Sequence, residues 1–360
     1  MGRSGMRRAD DLHESREGSA VRHLAILRCL PSRLLRALSR LVLSTVLLLN
    51  ILGLVGFFVR DRSLFLAFLL YLPLLPLGAC SVGLGVGVRR SSSRRLRDVL
   101  VVTGLVSMVT CSSWMFGRGP GTGISPQGRT LSLLHWNVQW SRYWNHPQTE
   151  WNAMATEIVG HNPDIVVLSE APPYYGMYRA LDRLPGHRFV VFVHGNRTAD
   201  GHSYHLFVSA RWPVRLIRRV LISNGAAAVV QVDHPERPVR ILFVDGQSKI
   251  NRMRTPMLHD IARECSQAYN AREPIDLVVG DFNAVSRSIG FDALERAGSG
   301  YHLASRSCLG WRGSWPSLCP VFDIDHVWVR SEWTILSCRH FTNFASDHRG
   351  QVVGLDFPKP

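Results

Sequence analysis

The chain has 360 residues, of which 46% are hydrophobic, and its mean hydropathy is close to zero. These averages are typical of a soluble protein with one or two domains, but they conceal a very uneven distribution of apolar residues along the chain. The formal net charge of +15 does not by itself indicate nucleic-acid binding, because residues 1–117 carry +10 of it and the remaining chain only +5.

Three uncharged apolar segments follow the basic N-terminus, at residues 41–59, 63–88 and 99–117. Each is long enough to cross the hydrocarbon core of a bilayer as a helix. Buried helices of a globular core are usually shorter and amphipathic, and a cleaved signal peptide would not be followed by two further apolar segments. The sequence therefore predicts three transmembrane helices.

Arginine residues are distributed unequally around these segments. Nine precede the first segment and five lie between the second and the third, whereas the loop between the first and the second is only Arg60, Asp61 and Arg62. By the positive-inside rule, residues 1–40 form a basic cytoplasmic tail and the loop before the third segment is also cytoplasmic. We therefore expect a multi-pass protein of the cell membrane whose chain after residue 117 is extracytoplasmic, in the periplasm or outside the cell.

The seven cysteines include no C-x-x-C pair and no Cys/His cluster of the kind that binds zinc. Cys308 and Cys319 flank a loop rich in glycine and tryptophan, which a disulfide would close in an oxidising compartment. The alternative is that both are separate buried thiols, and the sequence leaves the two possibilities open.

Residues 118–130 are rich in glycine and proline, which is typical of a linker, and they precede a domain over residues 131–360. This domain contains many short apolar runs with β-branched residues and helical patterns at 149–161, 253–271 and 290–297. Many strands with few helices predict a domain of the α+β class, with two packed sheets flanked by helices.

The segment LVVGDFNAVSR, residues 277–287, begins as an apolar strand and ends on two polar side chains, Asp281 and Asn283. Side chains two positions apart in an extended segment share a face, so both would project together from the strand end. Four further strand ends repeat this pattern, at Asn137, at Glu170, at Asp325 with His326, and at Asp347 with His348. Each one alone is better explained as a turn former or a helix cap. As a set, they indicate a site presented by the edge of a sheet.

The order Asn137, Glu170, GDFN (280–283), IDHV (324–327) and SDH (346–348) resembles the endonuclease/exonuclease/phosphatase superfamily over about residues 131–360. This resemblance implies a four-layer αββα sandwich, made of two mixed sheets flanked by helices, and metal-dependent cleavage of a phosphoester bond. The preceding apolar segments further resemble the anchors of membrane-bound bacterial members.

The resemblance also implies a metal site. Glu170 is the expected ligand of Mg²⁺, with Mn²⁺ as the alternative ion. Asn137 would support this site and Asp347 would supply a second carboxylate, because Mg²⁺ prefers oxygen ligands.

Four residues take catalytic roles in the same comparison. Asp281 would orient or deprotonate the attacking water, and Asn283 would donate to a phosphate oxygen. His348 would contact the phosphate and would be oriented by Asp325. The neighbouring His326 should face the other side of its strand and is left out of the site.

One position departs from the superfamily pattern. Many members carry a histidine, and some a tyrosine, where this chain has Asp245, Gly246 and Gln247. A further carboxylate would repel phosphate unless it binds metal, so that either Gln247 or Lys249 takes over the contact or the leaving group needs no acid. A pyrophosphate would satisfy the second condition, because phosphate leaves with less help than an alkoxide.

We therefore expect a membrane-anchored, extracytoplasmic, Mg²⁺-dependent phosphoric ester hydrolase that acts on a phosphate ester or a pyrophosphate, with a membrane lipid phosphate as the favoured partner. One alternative is an exported nuclease, a phosphodiesterase that would need a basic groove lined by aromatic residues. Another is a catalytically silent phosphate-binding module of the same fold, which broken motifs would indicate; here the motifs are intact. The sequence carries no signal for an oligomeric state.

Overall fold

The computed structural model describes residues 32–87, 94–119, 130–139, 148–171, 184–194 and 205–358. Most of the predicted tail 1–40 and of the predicted linker 118–130 lies outside these ranges, as do Arg89 and Arg90 of the loop that was predicted to be cytoplasmic. The chain forms two units. One combines Met1–Ile51 with Pro76–Ser107, and the other combines Leu52–Leu75 with Met108–Pro360.

Four helices occupy the apolar region, namely α1 (Ser32–Val59), α2 (Leu64–Leu70), α3 (Leu74–Gly87) and α4 (Arg94–Met115). Of these, α1 and α4 are long and apolar enough to cross a membrane. The predicted span 63–88 is instead a bent pair, in which α2 and α3 meet at 61°, so the described residues hold two candidate spans, or three if the pair counts as one. Pro73 explains the bend, because it has no backbone N–H and disfavours helical geometry at the residue before it.

Within the first unit, buried polar side chains join α1, α3 and α4. The amide nitrogen of Asn50 donates to the Ser81 hydroxyl at 2.6 Å and to the carbonyl oxygen of Leu77 at 3.4 Å, and the amide oxygen accepts from the Ser107 hydroxyl. Helices in a bilayer are held together by such contacts, because hydrocarbon offers a polar side chain no other partner.

The third apolar segment leads directly into the domain. Helix α4 ends at Met115, and the next residues form strand β1 (Phe116–Arg118), which pairs with β11 (Leu309–Trp311). The Met115 carbonyl oxygen also accepts from the Arg312 backbone N–H at 2.9 Å. The end of the predicted span, at 116–117, is therefore strand rather than helix.

Two six-stranded mixed sheets form the centre of the second unit, in the strand orders β13-β14-β2-β3-β5-β4 and β10-β12-β9-β8-β7-β6. The strands of the first sheet are β2 (Thr130–Asn137), β3 (Ile165–Ser169), β4 (Phe189–His194), β5 (His205–Ala210), β13 (Thr334–Phe341) and β14 (Gly350–Asp356). Those of the second sheet are β6 (Val214–Val220), β7 (Gly225–Asp233), β8 (Pro238–Gly246), β9 (Leu277–Asp281), β10 (Tyr301–Leu303) and β12 (Asp325–Arg330). β2 runs parallel to β3 and β8 runs parallel to β9, whereas the other pairs are antiparallel.

Alternating side chains of the central strands pack into two different apolar layers. In β3, Ile165 and Val167 lie in the core between the sheets, whereas Val166 and Leu168 lie under helix α5 (Gln148–His161). Helices α6 (Thr255–Asn270) and α7 (Phe291–Glu295) cover the outer face of the second sheet in the same way. Because both faces of each sheet are buried along these central strands, their sequences are continuous apolar runs. The four layers confirm the predicted αββα sandwich.

The disulfide differs from the pairing that the sequence suggested. Cys308 is bonded to Cys338 in β13, whereas Cys319 is an exposed free cysteine. Of the two possibilities that the sequence left open, neither holds: Cys308 does not pair with Cys319, and the two are not separate buried thiols. Cys308 follows a short 3-10 helix that packs into the core between the sheets, where it meets β13, and proximity in sequence to Cys319 does not decide its partner.

Candidate active site

The strand pairing brings five polar residues to one edge of the sandwich. In the first sheet, Asn137 at the end of β2 lies beside Glu170, the first residue after the parallel strand β3. In the second sheet, Asp281 ends β9 and pairs with Asp245 on one side and with Asp325 on the other. Because β12 runs antiparallel to β9, Asp325 at its beginning reaches the edge where β8 and β9 end.

The amide of Asn137 joins the two sheets. Its nitrogen donates to Glu170 Oε1 at 3.1 Å and to Asp281 Oδ2 at 2.9 Å, and its oxygen accepts from the Gln139 backbone N–H at 2.8 Å. Asn137 is fully buried. The residue predicted to support a metal site therefore holds two carboxylates at a fixed separation.

Asn283 is held on several sides. Its backbone N–H donates to Asp281 Oδ1 at 2.8 Å, and its amide nitrogen donates to the Gly246 carbonyl oxygen at 2.8 Å and to Asp281 Oδ2 at 3.1 Å. Its φ of +46° is uncommon for a residue with a side chain and persists only where the surroundings compensate. The predicted donation from Asn283 to a phosphate oxygen would replace one of these two amide contacts.

His348 and Asp325 form a buried pair, with His348 Nδ1 2.8 Å from Asp325 Oδ2. Burial lowers the pKa of His348, but the charge and hydrogen bond of Asp325, together with the charges of Asp281 and Asp347, more than offset this and raise the pKa to about 10. In the same pair, burial raises the pKa of Asp325 while the charge and hydrogen bond of His348 bring it below its ordinary value. His348 is therefore an imidazolium at neutral pH, which suits contact with a phosphate oxygen.

Asp281 is shared by two groups of possible metal ligands. One contains Asp325 and His348 and the other contains Glu170 and Asp245, and the ligand atoms within each group lie within 4.8 Å of one another. Burial, with a further contribution from the Asp325 charge, raises the pKa of Asp281 to about 7.

Burial also raises the pKa of Glu170 and of Asp245. Buried carboxylates with raised pKa values lack sufficient positive charge nearby. In addition, Asp245 Oδ2 and Asp347 Oδ1 are buried and have no hydrogen-bond partner among the described residues. Both features fit a divalent cation, which would supply charge and accept oxygen ligands.

The seven residues predicted from the sequence are not all equally close to this cluster. Asp347 lies outside both groups of possible ligands, and its Oδ2 accepts from the Trp315 indole N–H at 3.2 Å. Its other oxygen is 3.8 Å from His348 Nε2. His326, as expected, faces away: it packs against Phe282 and Phe291, and its Nε2 lies 2.8 Å from the Ala284 carbonyl oxygen.

The site opens into a cavity of about 590 Å³. Its polar residues include Glu170, Asp281, Asn283, Asp347 and His348. Apolar and aromatic residues also line it and are here called the apolar wall: Ala67, Phe68, Tyr71, Ile250, Trp315, Phe322 and Ile324. Gln247 and Lys249, which the sequence offered in place of the usual histidine, do not line the cavity, whereas Ser248, Arg252 and Arg254 do.

Sequence reasoning missed several residues that hold the site together. Arg254 Nε and the Tyr71 hydroxyl both donate to the Asn283 carbonyl oxygen, at 2.8 and 2.9 Å. Ser314 Oγ accepts from the Asp325 backbone N–H at 3.1 Å. None of these residues stands at a strand end of the catalytic pattern, and Tyr71 lies in an apolar segment, so no sequence signal separates them from ordinary helix and loop residues.

Comparison with known proteins identifies the family and the fold of the chain. The model of the Endonuclease/Exonuclease/phosphatase family matches residues 134–348, a range that contains every predicted site residue. The catalytic domain of human Nocturnin is 16% identical and superposes with a TM-score of 0.50 over 65% of this chain and 96% of its own. A mannosyl-6-phosphatase of Bacteroides thetaiotaomicron is 13% identical and superposes with a TM-score of 0.50 over 63% of this chain and 100% of its own.

At these identities, the two structures show a shared fold. No curated protein sequence matches the chain. The family match covers more than half of the chain. The chain belongs to the endonuclease/exonuclease/phosphatase family.

Proposed function

We propose that the protein is a membrane-anchored, extracytoplasmic, Mg²⁺-dependent phosphoesterase whose substrate is a lipid-linked phosphate or pyrophosphate. The observation that carries this proposal is the composition of one cavity, which is lined both by the carboxylate and histidine cluster and by the residues of the apolar wall. A ligand that carries phosphate next to hydrocarbon matches such a mixed lining.

The apolar wall begins directly beside the polar cluster. Trp315 stacks on Phe322 with ring centroids 6.0 Å apart, and the same indole donates to Asp347. A nucleic acid would instead require cationic groups for its backbone phosphates. Among the described residues, two arginines line the cavity: the guanidinium group of Arg254 is engaged by the carbonyl oxygens of Lys249, Arg252 and Asn283, whereas Arg252 is an exposed cation.

Different residues of the site have separate roles in the proposed reaction. Glu170 and Asp245, which belong to one group of possible ligands, would hold the cation, with Asp347 as the further ligand that the sequence predicts. The cation when bound supplies positive charge to the phosphate oxygens. Asp281, kept in orientation by Asn137 and Asn283, accepts the proton of the attacking water. The His348 imidazolium donates to a phosphate oxygen while Asp325 fixes its ring.

No residue in this scheme protonates the leaving group. The usual histidine is absent, and Gln247 lies outside the cavity lining. A pyrophosphate, which releases phosphate, tolerates this absence better than a simple ester of an alcohol.

The proposed membrane topology is supported by the direction in which each apolar helix runs relative to the domain. The end of α1 contacts the domain through Arg60 and Asp292, at 2.6 Å, and the end of α4 contacts it through Met115 and Arg312. If α1 and α4 each cross the bilayer toward the domain, the bent α2–α3 pair must return the chain between them. Three crossings and the arginine-rich N-terminus then favour an extracytoplasmic domain.

The proposal is tested by phosphate release from a polyprenyl pyrophosphate by the full chain in liposomes. We expect release with Mg²⁺, loss of release with EDTA, and recovery when Mg²⁺ is restored. Glu170→Gln should abolish release because it removes a charged ligand, whereas Glu273→Gln, at an exposed ion pair with Arg240, should not change it. Undiminished release in EDTA or in Glu170→Gln would refute the metal-dependent mechanism.

A further inference from the structure

The loop between α1 and α2 is bound tightly to the segment that follows the GDFN motif. The Arg60 guanidinium pairs with both carboxylate oxygens of Asp292, at 2.7 and 2.6 Å, and donates to the carbonyl oxygens of Arg287 and Ser288. Bidentate pairs of this kind fix orientation as well as distance. The loop is thus attached in a defined position, at a residue whose φ of +65° needs such support.

The next residue of the loop makes a second attachment. Asp61 is almost completely buried, and its carboxylate accepts from the Ile289 backbone N–H at 2.6 Å and from the Ser288 hydroxyl. A buried carboxylate with these partners is costly to remove from them, because it would lose its hydrogen bonds without regaining full hydration.

Tyr71, just after α2, reaches the catalytic motif itself. Its hydroxyl donates to the carbonyl oxygen of Asn283 at 2.9 Å, and its ring packs beside Phe322 at 5.8 Å between centroids. Asn283 in turn holds both oxygens of Asp281. A single hydrogen bond therefore connects the membrane-proximal segment to the residue that orients the proposed base.

Helix α2 also supplies part of the cavity wall. Ala67 and Phe68 line the cavity, and Phe68 is 41% exposed. Phe65, one turn earlier on the same helix, is more exposed and does not line the cavity. The two phenylalanines are therefore a natural pair for comparison.

We infer that the segment 60–71, which consists of the loop after α1, helix α2 and Tyr71, is part of the active site. In this segment Tyr71 positions Asn283, and Phe68 contacts the hydrocarbon next to the phosphate of the substrate. The role of Phe68 rests on the proposed function, because only a substrate with an apolar chain would use it. The role of Tyr71 holds for any phosphate ester that the site hydrolyses.

The specificity role is tested with the full chain in detergent and two substrates that differ in chain length. Isopentenyl pyrophosphate carries a single isoprene unit and a polyprenyl pyrophosphate carries many. Phe68→Ala should lower kcat/KM for the long substrate about tenfold or more, the scale of losing apolar contact in a pocket, and leave the short substrate nearly unchanged. Phe65→Ala should change neither.

Equal losses on both substrates, or no loss on the long one, would overturn the role of Phe68 while leaving the proposed function intact. If the wild-type chain hydrolyses neither substrate, the proposed function and the role of Phe68 fail together. The two failures are thus distinguishable.

The positioning role is tested with Tyr71→Phe, which removes only the hydroxyl. We expect kcat to fall about tenfold on both substrates, as for the loss of one hydrogen bond of about 1.4 kcal/mol, with KM and the melting temperature nearly unchanged. Tyr269→Phe, at a half-exposed position on α6, is the matched control. An unchanged kcat, or a lower melting temperature without a lower kcat, would show that Tyr71 is only a packing residue.

Discussion

Asp281 and His348 are the residues whose proposed roles concern proton and charge transfer to the reacting atoms. We predict that Asp281→Asn and His348→Ala each lower kcat at least about a hundredfold, the usual scale for the loss of an acid or base. Steady-state phosphate release by the full chain measures this loss. His302→Ala, at an exposed position on β10, is the control and should retain activity.

The two site variants should also remain folded. Asp281→Asn keeps the shape of the side chain and removes a buried charge, but its amide nitrogen cannot accept the hydrogen bonds that one of the two Asp281 oxygens accepts, so a moderate fall in melting temperature with a retained fold is expected. If the activity of both variants falls only in proportion to a fall in their melting temperature, these positions stabilise the fold and do not take part in the chemistry.

Much of the site was predictable at the scale of single residues, and the reason is local. Asp281, Asn283 and Asp325 stand at or just beyond the end of a buried apolar strand, so a polar residue there interrupts the apolar run and is visible in the sequence. Arg254 and Tyr71 hold the same site through the Asn283 carbonyl oxygen, an acceptor that every residue possesses. A backbone contact of this kind leaves no trace in the sequence of either partner.

At the scale of elements, the disulfide links β13 to the segment before β11. We predict that peptide mapping without reduction will connect Cys308 to Cys338 and leave Cys319 free. Cys338→Ser should lower the free energy of unfolding by about 2–4 kcal/mol, because the bond restricts the unfolded chain, whereas Cys319→Ser should have little effect. A Cys308–Cys319 peptide would contradict the structure.

The apolar pattern of the sequence predicts the paired sheets but not the bend between α2 and α3. Continuous apolar runs with β-branched residues correctly predicted paired sheets, because both faces of the central strands are buried. The run at 63–88 is equally apolar, yet it breaks at Pro73, and hydropathy alone does not distinguish a bent pair from a straight span. The cysteine partner could not be predicted either, since it depends on where β13 passes the 3-10 helix.

At the scale of the whole molecule, the arginine distribution predicts the orientation of the chain. Reporter fusions after Arg62 and after Lys359 should be exported, whereas a fusion after Arg97 should remain cytoplasmic. The first and second fusions lie on the side of the domain, and the third lies at the start of α4. An exported Arg97 fusion would exclude the three-crossing topology.

The central claim is that the site acts on a phosphate carried by a membrane lipid. The measurement that tests it most directly is a comparison of kcat/KM for a polyprenyl pyrophosphate and for single- and double-stranded DNA, made with one preparation of the full chain in liposomes with Mg²⁺. We predict phosphate release from the lipid and DNA cleavage at least about a hundredfold slower, because the cavity has an apolar wall and one of the two arginines described in its lining, Arg254, is already engaged by carbonyl oxygens. Efficient DNA cleavage without phosphate release from the lipid would contradict the account and identify the protein as a nuclease.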